Sequence, residues 1–245
     1  MKLTQFYVQN TIHLGLLRQE GILDLTTFAA HGGYCPATLA QAMEDYAGLK
    51  RFVESIPDGA PLLAPASLCY APVVDAPEKI LCTGLNYRMH AAETGDALPA
   101  YPLFFSKFSN ALAAHGQAVT LPRESSQIDY EAELVVVLGK RCRDVKPEAA
   151  LSYVFGYTLG NDLSARDLQM RTSQWLLGKT LDQFAPIGPF LVTADALSPQ
   201  ELTLTCRVNG TVRQSAPTSD MIFDCATLVS YASRFMTLRP GDLLF

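Results

Sequence analysis

The chain has 245 residues, 49% of them hydrophobic, and a formal net charge of −5. That length suits one large domain, or one domain with a small appendage, and supplies apolar side chains for a sizeable core. The negative charge argues against a nucleic-acid partner, and no apolar run approaches the roughly 18 residues of a membrane span.

Met1-Lys2-Leu3-Thr4-Gln5 lacks an apolar signal core. The six cysteines (Cys35, Cys69, Cys82, Cys142, Cys206, Cys225) are scattered, with no CxxC pair. They read as reduced, mostly buried thiols, and a cytoplasmic location is expected.

In chain order, residues 1–74 read as a small N-terminal unit. Residues 5–8 and 12–17 suggest a hairpin, and 22–25 another short strand. Leu39, Met43, Tyr46 and Leu49 recur at helical spacing, which predicts helices within 38–53. His13 and His31 stand alone in sequence and read as structural or exposed. Pro65, Pro72 and Pro77 interrupt regular structure and mark 62–77 as a linker.

Residues 79–84 read as a strand, and the alanine-rich centre of 85–95 permits a short helix stopped by Gly95. On that helix His90 and Glu93 are i,i+3 neighbours. A carboxylate beside an imidazole suits a general base, although an ordinary surface pair reads the same way. Residues 103–107 form a predicted strand, and 110–117 a loop or short turn.

The most informative stretch is 128–139, which ends in Val135-Val136-Val137-Leu138-Gly139 and reads as one strand. Alternation then puts Asp129, Glu131 and Glu133 on one face. Three like charges there need water, cations or a metal. An edge strand with a solvated acidic face is the plain alternative. Residues 147–152 read as a helix and 154–159 as a strand ending at Asn161-Asp162 before another helix at 166–171. Asp162 reads as a helix N-cap or as a third carboxylate beside Glu131 and Glu133. Three such oxygens with open positions suit Mg²⁺ or Mn²⁺.

Residues 177–182 read as a loop in which Gly178 would let the backbone approach a ligand, and Lys179 reads by default as solvated. A strand is expected over 186–192, and another over 202–209 that turns at Asn209-Gly210 into 211–213. A helix over 222–236 and a turn over 238–242 lead to Leu243-Leu244-Phe245.

The motifs Gly84-Leu85-Asn86-Tyr87-Arg88 with His90, Asp129-Tyr130-Glu131-Ala132-Glu133-Leu134, and Asn161-Asp162-Leu163-Ser164-Ala165-Arg166-Asp167 stand in a fixed order. Gly178-Lys179 and Arg207-Val208-Asn209-Gly210 with Met221-Ile222-Phe223 follow them. Over residues 79–245 the chain resembles the fumarylacetoacetate hydrolase family, bacterial type with a small N-terminal domain. The resemblance implies an α+β fold: a mixed β-roll catalytic domain over 75–245 behind a small α+β domain over 1–74. It also implies a homodimer and a divalent cation, Mg²⁺ or Mn²⁺. By motif, Glu131, Glu133 and Asp162 match metal ligands, and His90 with Glu93 matches a water-activating or proton-moving pair. Arg166, Gln169 and Lys179 match residues that hold a carboxylate or oxyanion. Asn86 and Tyr87 are expected to line the substrate, and Asp129 to support the ligands. Relatives continue past the Gly-Asp turn with a Thr-Gly-Thr-Pro-like loop, so the catalytic domain is expected to lack its usual C-terminal end.

The implied function is metal-dependent hydrolysis of a C–C bond in a small diketo acid, of acylpyruvate or fumarylpyruvate type, through a metal-bound enolate. That chemistry belongs to aromatic catabolism. Decarboxylation of an oxaloacetate-type acid and hydroxymuconate-type isomerisation share the intermediate and stay open. A catalytically silent metal-binding scaffold is the alternative of another class.

Overall fold

The computed structural model describes residues 1–19, 21–29 and 38–245. His31 and Cys35 lie outside the described residues.

Strands β1 (Lys2–Val8), β2 (Thr11–Arg18) and β3 (Gly21–Asp24) form an antiparallel meander. Helices α1 (Leu25–Ala29), α2 (Leu39–Glu44) and α3 (Tyr46–Ser55) follow. Thr38 caps α2 through the amide of Gln41, and Asp45 caps α3 through that of Gly48, which splits the predicted helical stretch in two. The proline-rich linker contributes β4 (Cys69–Tyr70), which pairs with β1.

The next elements are β5 (Ile80–Gly84), α4 (Arg88–Thr94), β6 (Leu103–Lys107), β7 (Leu112–Ala114), β8 (Ile128–Asp129) and β9 (Ala132–Leu138). Then come α5 (Pro147–Ala150), β10 (Val154–Asn161), β11 (Ser164–Ala165), α6 (Arg166–Gln169) and α7 (Leu176–Lys179). The chain continues with β12 (Ala185–Ile187), β13 (Leu191–Thr193), β14 (Thr203–Val208), β15 (Thr211–Pro217), α8 (Cys225–Phe235) and β16 (Leu243–Leu244).

One mixed sheet organises the α+β fold. Its strands run in the order β3-β2-β1-β13-β10-β9-β16-β5-β6, with β4, β7 and β12 attached to this path. The pairs β16–β5 and β12–β7 are parallel. The N-terminal meander joins through β1, whose Leu3 pairs with Leu191 of β13. Residues 1–74 therefore share a sheet with the rest, and their Leu3, Leu14, Leu39 and Leu49 share a core with Val135, Val137 and Leu243. On the opposite face of β9, Leu134, Val136 and Leu138 pack with Leu228, Val229 and Ala232 of α8. Residues buried on both faces explain the unbroken valine run. Among the described residues, no helix is long and apolar enough to cross a membrane.

Several expectations need correction. The strand predicted over 128–139 breaks at Tyr130 and Glu131. Their amides turn to side chains, Tyr130 N–H to Asp129 Oδ1 at 2.9 Å and Glu131 N–H to Asn161 Oδ1 at 3.1 Å. β8 pairs with β11 in a separate two-stranded sheet. Asp129 and Glu133 thus belong to different sheets, and alternation along one strand does not unite them. Residues 176–179 form α7 rather than a loop. A Cβ at Gly178 would overlap the backbone of Gln169, so the close approach that glycine permits joins α7 to α6. Residues 112–114 are a strand, paired with β12. The strand predicted over 186–192 is divided by Gly188-Pro189, a cis peptide, into β12 and β13. The last helix begins at Cys225, where Asp224 caps it by accepting from Thr227 N–H at 2.7 Å. The Asn209-Gly210 turn is as expected, with φ of 51° and 80°.

Candidate metal centre

The break at Tyr130-Glu131 and the end of β10 build the site. Asp162 N–H donates to the Glu131 carbonyl at 2.8 Å, so the two carboxylate-bearing segments are stitched backbone to backbone. Glu133 follows on β9, opposite Gly160 of β10. A Cβ at 160 would strike Phe245 and Val135, so glycine lets those two side chains close over β10 there.

Three cations meet these carboxylates. Lys179, 2% exposed, places Nζ 2.5 Å from Glu131 Oε2 and 2.8 Å from Asp162 Oδ2. The default reading of Lys179 as solvated is therefore corrected. Its ammonium also sits 4.9 Å above the Phe105 ring. Arg166 reaches Asp129 Oδ2 through Nε at 3.0 Å and Nη2 at 2.7 Å, and Glu131 Oε1 at 2.6 Å. Its Nη1 donates to Gln169 Oε1 at 3.0 Å. This guanidinium, rather than strand alternation, brings Asp129 and Glu131 together.

The third cation, Lys107, was not singled out from sequence. Its side chain is fully buried at the end of β6. Nζ donates to the carbonyls of Leu163 (2.9 Å), Lys179 (2.5 Å) and Phe184 (2.7 Å), and lies 2.7 Å from Asp162 Oδ1. The Lys107–Asp162 contact is a charge contact without hydrogen-bond alignment, which leaves Oδ1 without an aligned donor.

The electrostatics divide the carboxylates. Burial pushes Glu131 up, but Lys179 and Arg166 outweigh it and hold the group down at about 2. Burial dominates at Asp162 and raises its carboxyl despite Lys107 and Lys179. Glu133 is pushed well above the usual carboxylate range by burial and by the charges of Glu131 and Asp162. For Lys179, burial lowers the ammonium, yet Asp162 and Glu131 raise it on balance. At Lys107 burial, aided by the Lys179 charge, outweighs Asp162 and lowers the ammonium.

Four carboxylates, counting Asp129, face three cations, and Glu133 has no hydrogen bond or ion pair among the described residues. An uncompensated carboxylate beside two others is the setting in which a hard divalent cation is favoured. The donor set therefore fits Mg²⁺ or Mn²⁺. Among the described residues no three carboxylate, imidazole or thiolate groups gather around one point, and the Lys179 ammonium bridges Glu131 and Asp162.

The other predicted site residues fall into two groups. Asn86 is engaged with backbone: its Nδ2 donates to the Phe223 carbonyl at 3.0 Å and its Oδ1 accepts from Phe223 N–H at 2.9 Å. It ties the turn before α4 to the segment before α8. The Tyr87 hydroxyl is buried without a hydrogen-bond partner among the described residues, and burial, then Glu133, push its phenol up strongly. His90 and Glu93 do share a face of α4, with Nδ1 3.8 Å from Oε2, and Gly95 ends the helix in the left-handed region at φ 75°. Their side chains are 57% and 81% exposed, and among the described residues no hydrogen bond or ion pair joins them to Glu131, Glu133 or Asp162.

A family description, the C-terminal domain of fumarylacetoacetate hydrolase, matches residues 79–245. The chain belongs to the fumarylacetoacetate hydrolase family, a family of enzymes. Among its relatives, the mitochondrial oxaloacetate tautomerase Fahd2a of Rattus norvegicus is 39% identical over 251 residues, spanning 100% of this chain and 79% of that protein. The fumarylacetoacetate hydrolase of Exiguobacterium antarcticum superposes with a TM-score of 0.84 at 31% identity, covering 100% of this chain and 85% of the other. Maleylpyruvate hydrolase from Sphingobium sp. SYK-6, solved with manganese(II) ion and pyruvate, gives 0.83 at 29% identity, covering 100% and 87%.

Proposed function

We propose that this protein interconverts the keto and enol forms of a small 2-oxo dicarboxylic acid of the oxaloacetate type. The observation that carries this reading is the meeting of Lys179 and Arg166 with Glu131 and Asp162 beside the unpaired Glu133. A cationic wall for an anionic ligand adjoins an acidic floor for a cation. Identity of 39% to an oxaloacetate tautomerase along the whole chain supports the substrate class.

A Mg²⁺ or Mn²⁺ held by Glu131, Glu133 and Asp162 would supply Lewis-acid polarisation of the 2-oxo group. The chain's own residues do the rest. Arg166, whose Nε and Nη2 are taken by Asp129 and Glu131, offers a carboxylate the remaining hydrogen of Nη1 and its fixed positive charge. Gln169, 5% exposed and fixed by Arg166, lines the same wall. Lys179 offers an ammonium, desolvated and preorganised, to negative charge that develops on oxygen. His90, with the Glu93 carboxylate nearby, moves the proton between carbon and oxygen. The buried Tyr87 hydroxyl is the donor toward the ligand, and Asn86 keeps that turn in place. A homodimer belongs to the same proposal and is read by light scattering.

A second reading is hydrolysis of a C–C bond in a diketo acid, with His90 activating water. The likeness to a maleylpyruvate hydrolase holding manganese and pyruvate favours it. The deciding experiment supplies enol-oxaloacetate and an acylpyruvate in turn, with Mg²⁺, and identifies products by NMR. Accelerated ketonisation without cleavage supports the tautomerase. Release of pyruvate and a carboxylic acid from the acylpyruvate supports the hydrolase. Inertness toward both substrates contradicts both readings.

A further inference from the structure

Glu131 immediately precedes β9, at the end of the strand that β16 does not reach. Further along β9, Val136 and Val137 are paired by β16 and the stretch from Ala132 is paired by β10. Among the described residues no strand pairs with the edge of Tyr130 to Ala132 that faces away from β10, yet its backbone groups are satisfied. The Ala132 N–H donates to Gln214 Oε1 at 3.0 Å, and Gln214 Nε2 donates to the Tyr130 carbonyl at 3.1 Å. One carboxamide therefore bonds to the residues immediately before and after Glu131. In a parallel β-bridge a neighbouring peptide does the same, giving its N–H to residue i−1 and accepting from residue i+1. Gln214 reproduces that bridge with a side chain, projected from β15 of the β14–β15 hairpin.

We propose that Gln214 is a positioning residue of the active site, which aims the Glu131 carboxylate by standing in for a missing strand. The proposal rests on the reading of Glu131 as a site residue. The backbone of Glu131 is held on its other side by Asn161 Oδ1 and by the Asp162 N–H. Without Gln214 the segment keeps those bonds, the Tyr130 N–H to Asp129 and the pairing of Ala132 with β10, but two part-buried backbone groups on its other edge lose their partner. Rotation of that segment would swing Glu131 away from Asp162 and Lys179. Support of this kind around a ligating carboxylate is typically worth 10–100-fold in metal affinity or activity.

The test uses Gln214→Met, which keeps length and bulk but not the amide, and Gln214→Asn, which keeps the amide but falls one methylene short. Thr205→Val is the control: it removes the Thr205–Ser215 hydroxyl contact of 3.5 Å on the same hairpin and leaves the Gln214 carboxamide in place. Chelator-treated proteins are titrated with Mn²⁺ by calorimetry, and exchange of the Ala132 amide is followed by NMR. The expected result is a Kd for Mn²⁺ raised roughly tenfold or more in both Gln214 variants, with faster Ala132 exchange, and no change in Thr205→Val. Faster Ala132 exchange with Mn²⁺ affinity unchanged in both Gln214 variants overturns the proposal while leaving the proposed function intact. An equal loss of affinity in Thr205→Val overturns it too, because the effect then belongs to the hairpin and not to the carboxamide. Wild-type protein that binds no Mn²⁺ overturns the cation site and this inference together.

Discussion

At the scale of single residues, the site is a balance of charge in which Glu133 is the unpaired member. Glu133→Gln removes a charge that Glu131 and Asp162 already oppose. The variant should bind Mn²⁺ at least about tenfold more weakly while its chelated form unfolds at no lower denaturant concentration than wild type. Calorimetry and urea unfolding check the two halves. A variant with unchanged Mn²⁺ affinity removes Glu133 from the ligand set. His90 tests the other side of the site. His90→Ala should lower turnover by roughly 10²–10⁴-fold with Mn²⁺ affinity retained, since among the described residues no hydrogen bond or ion pair joins His90 to Glu131, Glu133 or Asp162. Normal turnover would show that the exposed pair is an ordinary surface pair. The acidic motif and the His-x-x-Glu spacing were legible because each lies within a few consecutive residues. Lys107 was not, because it lies 56 to 77 residues from the carbonyls that bind it. At the end of an apolar strand, a lysine gives no local sign of such partners.

At the scale of elements, Lys107 ties β6 to the turn between β10 and β11, to α7 and to the loop that enters β12. Its three carbonyl acceptors leave three different segments with a shared buried donor. Lys107→Met should cost about 3–5 kcal/mol, as removal of one partner from a buried charged cluster does. Urea unfolding measures it, and a loss below about 1 kcal/mol would mean that those carbonyls find other donors. Element by element, the sequence was readable where the cause was local. Asn209-Gly210 dictates its turn, Gly95 stops α4, and the valine run makes β9. It was unreadable where the cause was distant. The break at Tyr130 depends on Asn161, the strand at Leu112–Ala114 on β12, and the turn of α7 on the Gln169 backbone. Alanines at 113 and 114 gave β7 no strand-like signature of their own.

At the scale of the whole molecule, the N-terminal meander and the catalytic sheet are one sheet. Polar contacts reinforce the join: Asp195 accepts from Lys50 (2.6 Å), Tyr46 (2.9 Å) and Thr193 (2.6 Å), linking α3 to the end of β13. Those hydrogen bonds, from Lys50 first, hold the Asp195 carboxyl well below its usual range. A depressed carboxyl stabilises the fold above the unfolded value of roughly 4, and that stability is lost as pH falls through the lower folded value. Half-exposed as it is, the link should be worth under about 1 kcal/mol at neutral pH. Asp195→Asn should therefore unfold slightly earlier than wild type at pH 7, and the gap should close in strong acid. A gap that widens on acidification contradicts the assignment. The central claim is that a divalent cation at Glu131, Glu133 and Asp162 serves chemistry on a 2-oxo acid. It is tested most directly by following decay of enol-oxaloacetate in the ultraviolet with exhaustively chelated protein, before and after Mg²⁺ is returned. The account predicts that the enzymatic rate vanishes on chelation, returns with Mg²⁺, and does not return in Glu133→Gln at the same concentration. A full rate in the chelated protein would contradict it.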